Sequence, residues 1–261
     1  MTGSPKAKPD RIMQPIEPAL MHDRVYAALS TAVMAGRFIP GQSVVIREIA
    51  EQFATSPMPV REAVRRLVAL RAFISSPNRA VQVPEFSPET VRDLCRVRLG
   101  IEGMATSWAA EKATPKLVKL LRKYLRQEIE CADKSDFSGM LEANRAFHFA
   151  IYQAAESEKL LPCIEMLWLQ IGPYFGVLNG HPSLGRYHDE HERIIERLEK
   201  QDGPGAQGAI SRHITMAAED ILASWPKAAI SGHSDGQHEH ASSEIDSVPR
   251  ARKASKVASG S

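Results

Sequence analysis

Residues Ile46 to Phe73, IREIAEQFATSPMPVREAVRRLVALRAF, constrain this chain more than any other stretch. Ile46, Ile49, Ala50 and Phe53 repeat at the i, i+3, i+4 spacing of a helix packed on a core, and Ala54-Thr55 breaks that stripe. Ser56 then stands where a helix N-cap is expected. Pro57 follows at the first helical position, where its missing N–H has no intrahelical partner to lose, and Pro59 is tolerated in the same turn. Val60, Ala63, Val64, Leu67 and Leu70 form the next apolar stripe, which leaves Arg61, Arg65, Arg66 and Arg71 around the polar side. Two short helices joined by a tight turn, the second rich in arginine, can place that second helix in a major groove with its N-terminal turn leading. An arginine-rich face is, taken alone, also the ordinary solvated face of a helix. The residues that follow narrow the choice: Phe73 to Ser76, the turn Pro77-Asn78-Arg79 and Ala80 to Val83 read as a two-stranded ribbon with an arginine at its tip. With the preceding helix (Met21, Val25, Ala28, Leu29, Ala32, Val33, closed by Gly36), the economical reading is a winged helix-turn-helix domain over residues 18–86.

The chain has 261 residues, 43% of them hydrophobic, enough for two ordinary cores. Residues 20–86 carry eight Lys and Arg against five acids, and residues 87–230 carry 18 against 20. A basic small module on a mildly acidic larger one fits a nucleic-acid reader joined to a domain with a different partner. From Ser87-Pro88-Glu89, a capped helix start, to about Pro226 only helical periodicity is found, with helices expected at 88–112, 115–134, 136–155, 158–178, 183–200 and 206–224. Short breaks between them predict an antiparallel bundle over residues 87–230, with Leu117, Leu120, Leu121 and Leu125 expected in its core. Residues 1–17 and 231–261 are polar and read as disordered; His233, His238 and His240 in the tail read as solvated. Cys95, Cys131 and Cys163 lack CxxC spacing, so reduced, buried thiols and a cytoplasmic location are expected. No stretch is read as long and apolar enough to span a bilayer, and the N-terminus lacks the apolar run of a signal peptide.

Within the bundle, Asn144 and His148 lie four residues apart on one helix face beside Phe147 and Ile151. His191 and His213 stand 11 residues before and after Asp202, in the turn Gln201 to Gly205, so a hairpin there brings their rings to one height. Taken singly, an inward histidine is more often a hydrogen-bonded core residue. Three imidazoles and an amide oxygen that converge instead make a divalent-metal set, with Zn or Ni best suited to the donors. A metal-dependent hydrolytic site is the alternative chemistry, although no carboxylate pairs with the cluster by spacing.

From Asp23 to Val83 the chain resembles the DNA-binding domain of the GntR family of bacterial transcriptional regulators. The resemblance rests on Pro40-Gly41-Gln42-Ser43-Val44, a PGxxL-type turn, and on Pro59-Val60-Arg61-Glu62-Ala63-Val64, a PVREAL-type recognition helix. It implies DNA contact by Arg47, Ser56, Arg61 and Arg65 and by the wing residues Asn78 and Arg79. Where the family commonly has Ser-Arg-Thr, this chain has Ser56-Pro57-Met58, so an operator-touching arginine is absent. The second half resembles the FCD domain of the FadR-like branch, whose metal motif falls here on Asn144, His148, His191 and His213, with Asn in place of the commoner Asp. Arg98, in an RxxxE segment with Glu102, falls on the arginine that faces the family's cavity; a surface or Glu102-paired Arg98 is the other reading. The resemblance implies a dimeric regulator, more often a repressor, that reads an inverted-repeat operator in double-stranded DNA. It also implies a small carboxylate effector sensed over a divalent metal ion. A metal-dependent enzyme, or a constitutive DNA-binding protein with a structural metal, remain the other classes.

Overall fold

The computed structural model describes residues 19–75, 80–181 and 184–231. The two polar termini, the tip of the ribbon with Asn78 and Arg79, and the tail histidines lie outside the described residues. The described chain is mostly helical and carries one short two-stranded sheet.

The N-terminal module begins with α1 (Ala19–Met34), which Gly36 ends in the left-handed conformation at φ +67°, its N–H bonded to Val33 O. α2 (Ile46–Gln52) and α3 (Pro57–Ala69) follow, separated by Ala54 at φ +48°. Val60, Ala63, Val64 and Leu67 of α3 are buried against α1, as their spacing predicts. Two expectations need correction here. Phe53 is 38% exposed, because α2 ends at Gln52 and its stripe buries only Ile49 and Ala50. Ser56 occupies the N-cap position in extended conformation, but its hydroxyl accepts no capping hydrogen bond. The ribbon pairs β1 (Ile74–Ser75) with β2 (Val81–Gln82) antiparallel, Ile74 opposite Gln82, and Ser43 adds an isolated bridge to Gln82 on the other side.

The second domain opens at α4 (Pro88–Glu111), where the Ser87 hydroxyl accepts the Thr90 N–H at 3.1 Å. Thr114 and Asp136 cap α5 (Pro115–Asp133) and α6 (Phe137–Ala154) in the same way. The expected helix 158–178 divides into α7 (Leu160–Ile171) and a 3-10 segment, Gly172–Leu178. Pro173 removes a helical donor, and Gly172 packs so close to α1 that a Cβ there would sit 2.3 Å from Val33 O. α8 (Leu184–Glu199) and α9 (Gly203–Ser231) complete the bundle, and α9 runs longer than its apolar pattern predicts. α9 lies along α4, α5 packs on α6, and α8 packs on α9 and α5.

Side-chain burial corrects three further expectations. Val118, Leu121 and Leu125 are core, whereas Leu117 is only partly buried and Leu120 is 36% exposed. Cys95 and Cys131 are half-buried and Cys163 is exposed, so the thiols do not form the buried set expected of them. Leu160–Leu178 is, among the described residues, the single stretch long and apolar enough by composition to cross a membrane, at a mean hydropathy of 1.2. Half of it is buried inside the protein, with Leu167, Trp168, Leu169 and Ile171 in the core. That buried half is the face α7 and the 3-10 segment pack into the bundle.

Candidate metal centre and DNA-reading face

α6, α8 and α9 bring His148, His191 and His213 together, all three rings buried. His148 Nε2 lies 3.1 Å from His213 Nε2 and 3.2 Å from His191 Nε2, and the ligand atoms of the three all fall within 4.8 Å of one another. Four tetrahedral ligands at Zn–N bond lengths of ~2.0–2.1 Å have N···N edges of about 3.3 Å, so this spacing suits one shared cation. Asn144, one turn before His148, lines the adjoining cavity and is half-buried.

Two hydrogen-bonded chains hold the rings. On one side Arg98 and Glu102, both buried on α4, form an ion pair: Arg98 Nε donates to Glu102 Oε1 at 2.5 Å and Nη2 to Oε2 at 3.3 Å. The Tyr152 hydroxyl donates to Glu102 Oε2 and lies 3.2 Å from His148 Nδ1. With the phenolic proton committed to Glu102, the phenol oxygen accepts the proton of His148 Nδ1, which leaves Nε2 as a bare lone pair facing the other two rings. On the other side His191 Nδ1 lies 2.9 Å from Glu128 Oε2, the carboxylate–histidine pairing that orients metal-bound imidazoles.

Burial pushes His148 and His213 well below the ordinary histidine value, and it pushes His191 down to about 3. All three are therefore neutral, the form that binds metal. Burial also drives the Glu128 carboxyl well above its ordinary value, so with no cation nearby the Glu128–His191 pair is neutral too. A positive charge among the three Nε2 atoms favours the carboxylate, which then accepts from His191 Nδ1–H. Glu128 Oε1 and His213 Nδ1 are buried without a hydrogen-bond partner among the described residues, and both belong to this cluster. The convergent imidazole nitrogens and their neutrality together fit a divalent cation.

Glu128, Tyr152 and Glu102 escape the sequence reading as members of the site. Glu128 overturns the expectation that no carboxylate accompanies the histidines. Its signal is the apolar stripe of α5, where Val118, Leu121, Leu125 and Glu128 are buried at helical spacing, an acid in line with core residues. Tyr152 follows His148 by one turn. Arg98 does both things its position allows: it pairs with Glu102 and it lines the cavity beside the histidines.

In the N-terminal module Arg47 on α2 and Ser56, Arg61 and Arg65 at the start and outer face of α3 are all exposed. Arg65 meets Glu62 at 3.1 Å. Arg66 is instead structural, since it pairs with Asp23 at 2.9 Å and stacks 3.8 Å over the Tyr26 ring, tying α3 to α1.

Comparison with known proteins agrees with this two-part organisation. Residues 21–83 match the model of the bacterial regulatory proteins of the gntR family, and residues 93–216 match that of the FCD domain. The HTH-type transcriptional regulator McbR of Escherichia coli strain K12 is 29% identical over 214 residues, covering 81% of this chain and 93% of that protein. A probable D-xylose utilization operon transcriptional repressor of Paenarthrobacter nicotinovorans is 28% identical over 182 residues, covering 70% of this chain and 80% of that one. The solved structure of E. coli McbR/YncC superposes with a TM-score of 0.74 at 26% identity, covering 78% of this chain and 98% of that one. These relatives are transcriptional regulators rather than enzymes. With a gntR-type helix-turn-helix module followed by an FCD domain, the chain belongs to the GntR family of bacterial transcriptional regulators, in its FadR-like branch.

Proposed function

We propose that this regulator is ligand-responsive: it binds an inverted-repeat operator as a dimer and senses a small organic acid in its helical domain, over a divalent metal held by His148, His191 and His213 with Asn144 as a further ligand. The observation that carries the reading is the convergence of three buried, neutral Nε2 atoms beside a cavity that Arg98 also lines. When bound, the metal supplies a fixed positive charge and open coordination positions for an acid oxygen. The protein's own residues do the rest. Glu128 and Tyr152 orient His191 and His148, and Arg98 presents the guanidinium N–H groups left over from its pair with Glu102.

At the DNA, Arg47, Ser56, Arg61 and Arg65 supply contacts from α2 and α3, and Asn78 and Arg79 supply them from the wing. A dimer is supported by α4, where Val97, Met104 and Trp108 are 40%, 38% and 40% exposed at i, i+7 and i+11. Such a row of large apolar side chains is an expensive surface to leave in water. Response to the acid needs unequal binding to two arrangements of the DNA-binding modules, and a tenfold change in operator affinity corresponds to about 1.4 kcal/mol of coupling. A cytoplasmic site of action and repression released by ligand are part of the same proposal.

The test is elemental analysis of the purified protein and of a His148→Ala, His191→Ala double variant. Near one equivalent of Zn, Ni or a similar metal in the parent, lost in the variant, is expected. A parent that stays metal-free after reconstitution would return the histidines to the status of core residues.

A further inference from the structure

The last helix of the bundle delivers the chain to the winged module. Trp225 of α9 stacks on Phe86, with ring centroids 4.1 Å apart and planes 15° from parallel, and Phe86 stands four residues after the end of β2, at the base of the ribbon. α9 then continues six residues to Ser231. The family matches end at residues 83 and 216, so everything beyond α9 lies outside both.

Past that point the sequence divides by charge. Residues 232–248 carry Asp235, Glu239, Glu244 and Asp246 and no Lys or Arg. Residues 249–261, PRARKASKVASGS, carry Arg250, Arg252, Lys253 and Lys256 and no acid. Those four positive charges fall within seven residues, on a chain whose formal net charge is +2. The winged module is short of cations by comparison. Of its eight arginines, Arg37, Arg65 and Arg66 are held by Glu142, Glu62 and Asp23.

We infer that residues 250–256 are a second DNA-contacting arm, which binds the phosphate backbone beside the groove that α3 enters. The inference rests on the DNA-reading assignment of the winged module and adds a contact that neither family domain contains. Reach permits it. The 19 residues from Ser231 to Arg250 span at most about 65 Å, and a domain of about 70 residues is about 30 Å across, so the block can pass round the module from the base of its ribbon to DNA. A run of Lys and Arg displaces the counterions condensed on a duplex, and the acidic stretch before it is repelled by the same phosphates, which confines contact to the distal block. Phosphate contacts carry no sequence information, so the arm adds affinity without changing base preference. Val257 is the one larger apolar side chain of residues 249–261, too little to anchor the segment in a lipid surface.

The experiment measures anisotropy of a labelled random-sequence duplex, titrated with full-length protein across ~50–200 mM salt. It compares the parent with an Arg250→Gln, Arg252→Gln, Lys253→Gln, Lys256→Gln variant. A second variant, Lys116→Gln, Lys119→Gln, Lys123→Gln, Arg126→Gln, removes the same charge from exposed positions of α5. The tail variant is expected to bind about tenfold or more weakly at the lower salt, with a log–log salt slope shallower by about 3–4 for each tail engaged, while the α5 variant keeps the parent's slope. A tail variant with the parent's affinity and slope overturns the inference and leaves the DNA-reading assignment intact. An α5 variant that loses as much as the tail variant also overturns it, because net charge alone would then account for the loss. A parent that binds no duplex even at the lowest salt overturns the DNA-reading assignment itself, and the inference with it.

Discussion

Glu128 does more at this site than its distance from the chemistry suggests. It meets the far nitrogen of His191, where a negative charge raises the basicity of the imidazole and fixes which nitrogen points inward. Glu128→Gln keeps a hydrogen-bond acceptor of the same shape and removes the charge. We expect metal affinity about 10-fold to 100-fold weaker, with the fold intact, by competition against a chromophoric chelator. Affinity equal to that of the parent would show that the carboxyl contributes packing alone. Met58 shows the same economy on the DNA side. It is 73% exposed on the first turn of α3, next to Pro57, which stands where the family pattern Ser-Arg-Thr has its arginine. A thioether can lie against a thymine methyl and a proline side chain cannot donate to guanine, so we expect a base preference at this turn unlike that of regulators with Ser-Arg-Thr.

At the scale of elements, the 3-10 segment Gly172–Leu178 is shared by the two halves of the molecule. Phe175 and Leu178 line the cavity, while Gly172 and Gly176 lie against the end of α1. Tyr174 from the same segment donates to Glu85 O at 3.4 Å and meets the Phe86 ring edge-on, in the connection between the domains. A displacement of the cavity wall would therefore act on the seat of the winged module. Gly172→Ala would place a methyl 2.3 Å from Val33 O and 2.7 Å from Met34 Cα, contacts only backbone movement can relieve. We expect a loss of about 1–3 kcal/mol in urea unfolding. Gly176→Ala, whose Cβ would meet nothing closer than 3.6 Å, serves as the tolerant control. Equal stability of the two variants would mean that α1 does not sit tightly on this segment.

For the whole molecule, the prediction concerns assembly. A dimer matched to an inverted repeat needs one self-complementary face, and the α4 row of Val97, Met104 and Trp108 is the surface we assign to it. A Met104→Glu, Trp108→Glu variant is expected to sediment as a monomer and to bind operator at least tenfold more weakly, while circular dichroism keeps its helical signature. A variant that remains dimeric would move the interface elsewhere.

The sequence alone determined the parts that local chemistry decides. The helix-turn-helix was legible because apolar residues at i, i+3 and i+4, a proline at the first helical position and a glycine at a helix end each act within one or two turns. The histidine set was legible because a hairpin at Asp202 makes distance along the chain a measure of height in the bundle. Other features were decided only by tertiary contact. Whether Arg66 faces DNA or α1 depends on Asp23 and Tyr26, some 40 residues away. The break of the seventh helix at Gly172 depends on how near α1 comes, and the burial of Glu128 depends on His191 arriving from α8. Burial, pKa and pairing are properties of what lies opposite a side chain, and a periodic pattern in one helix names the face without naming its neighbour.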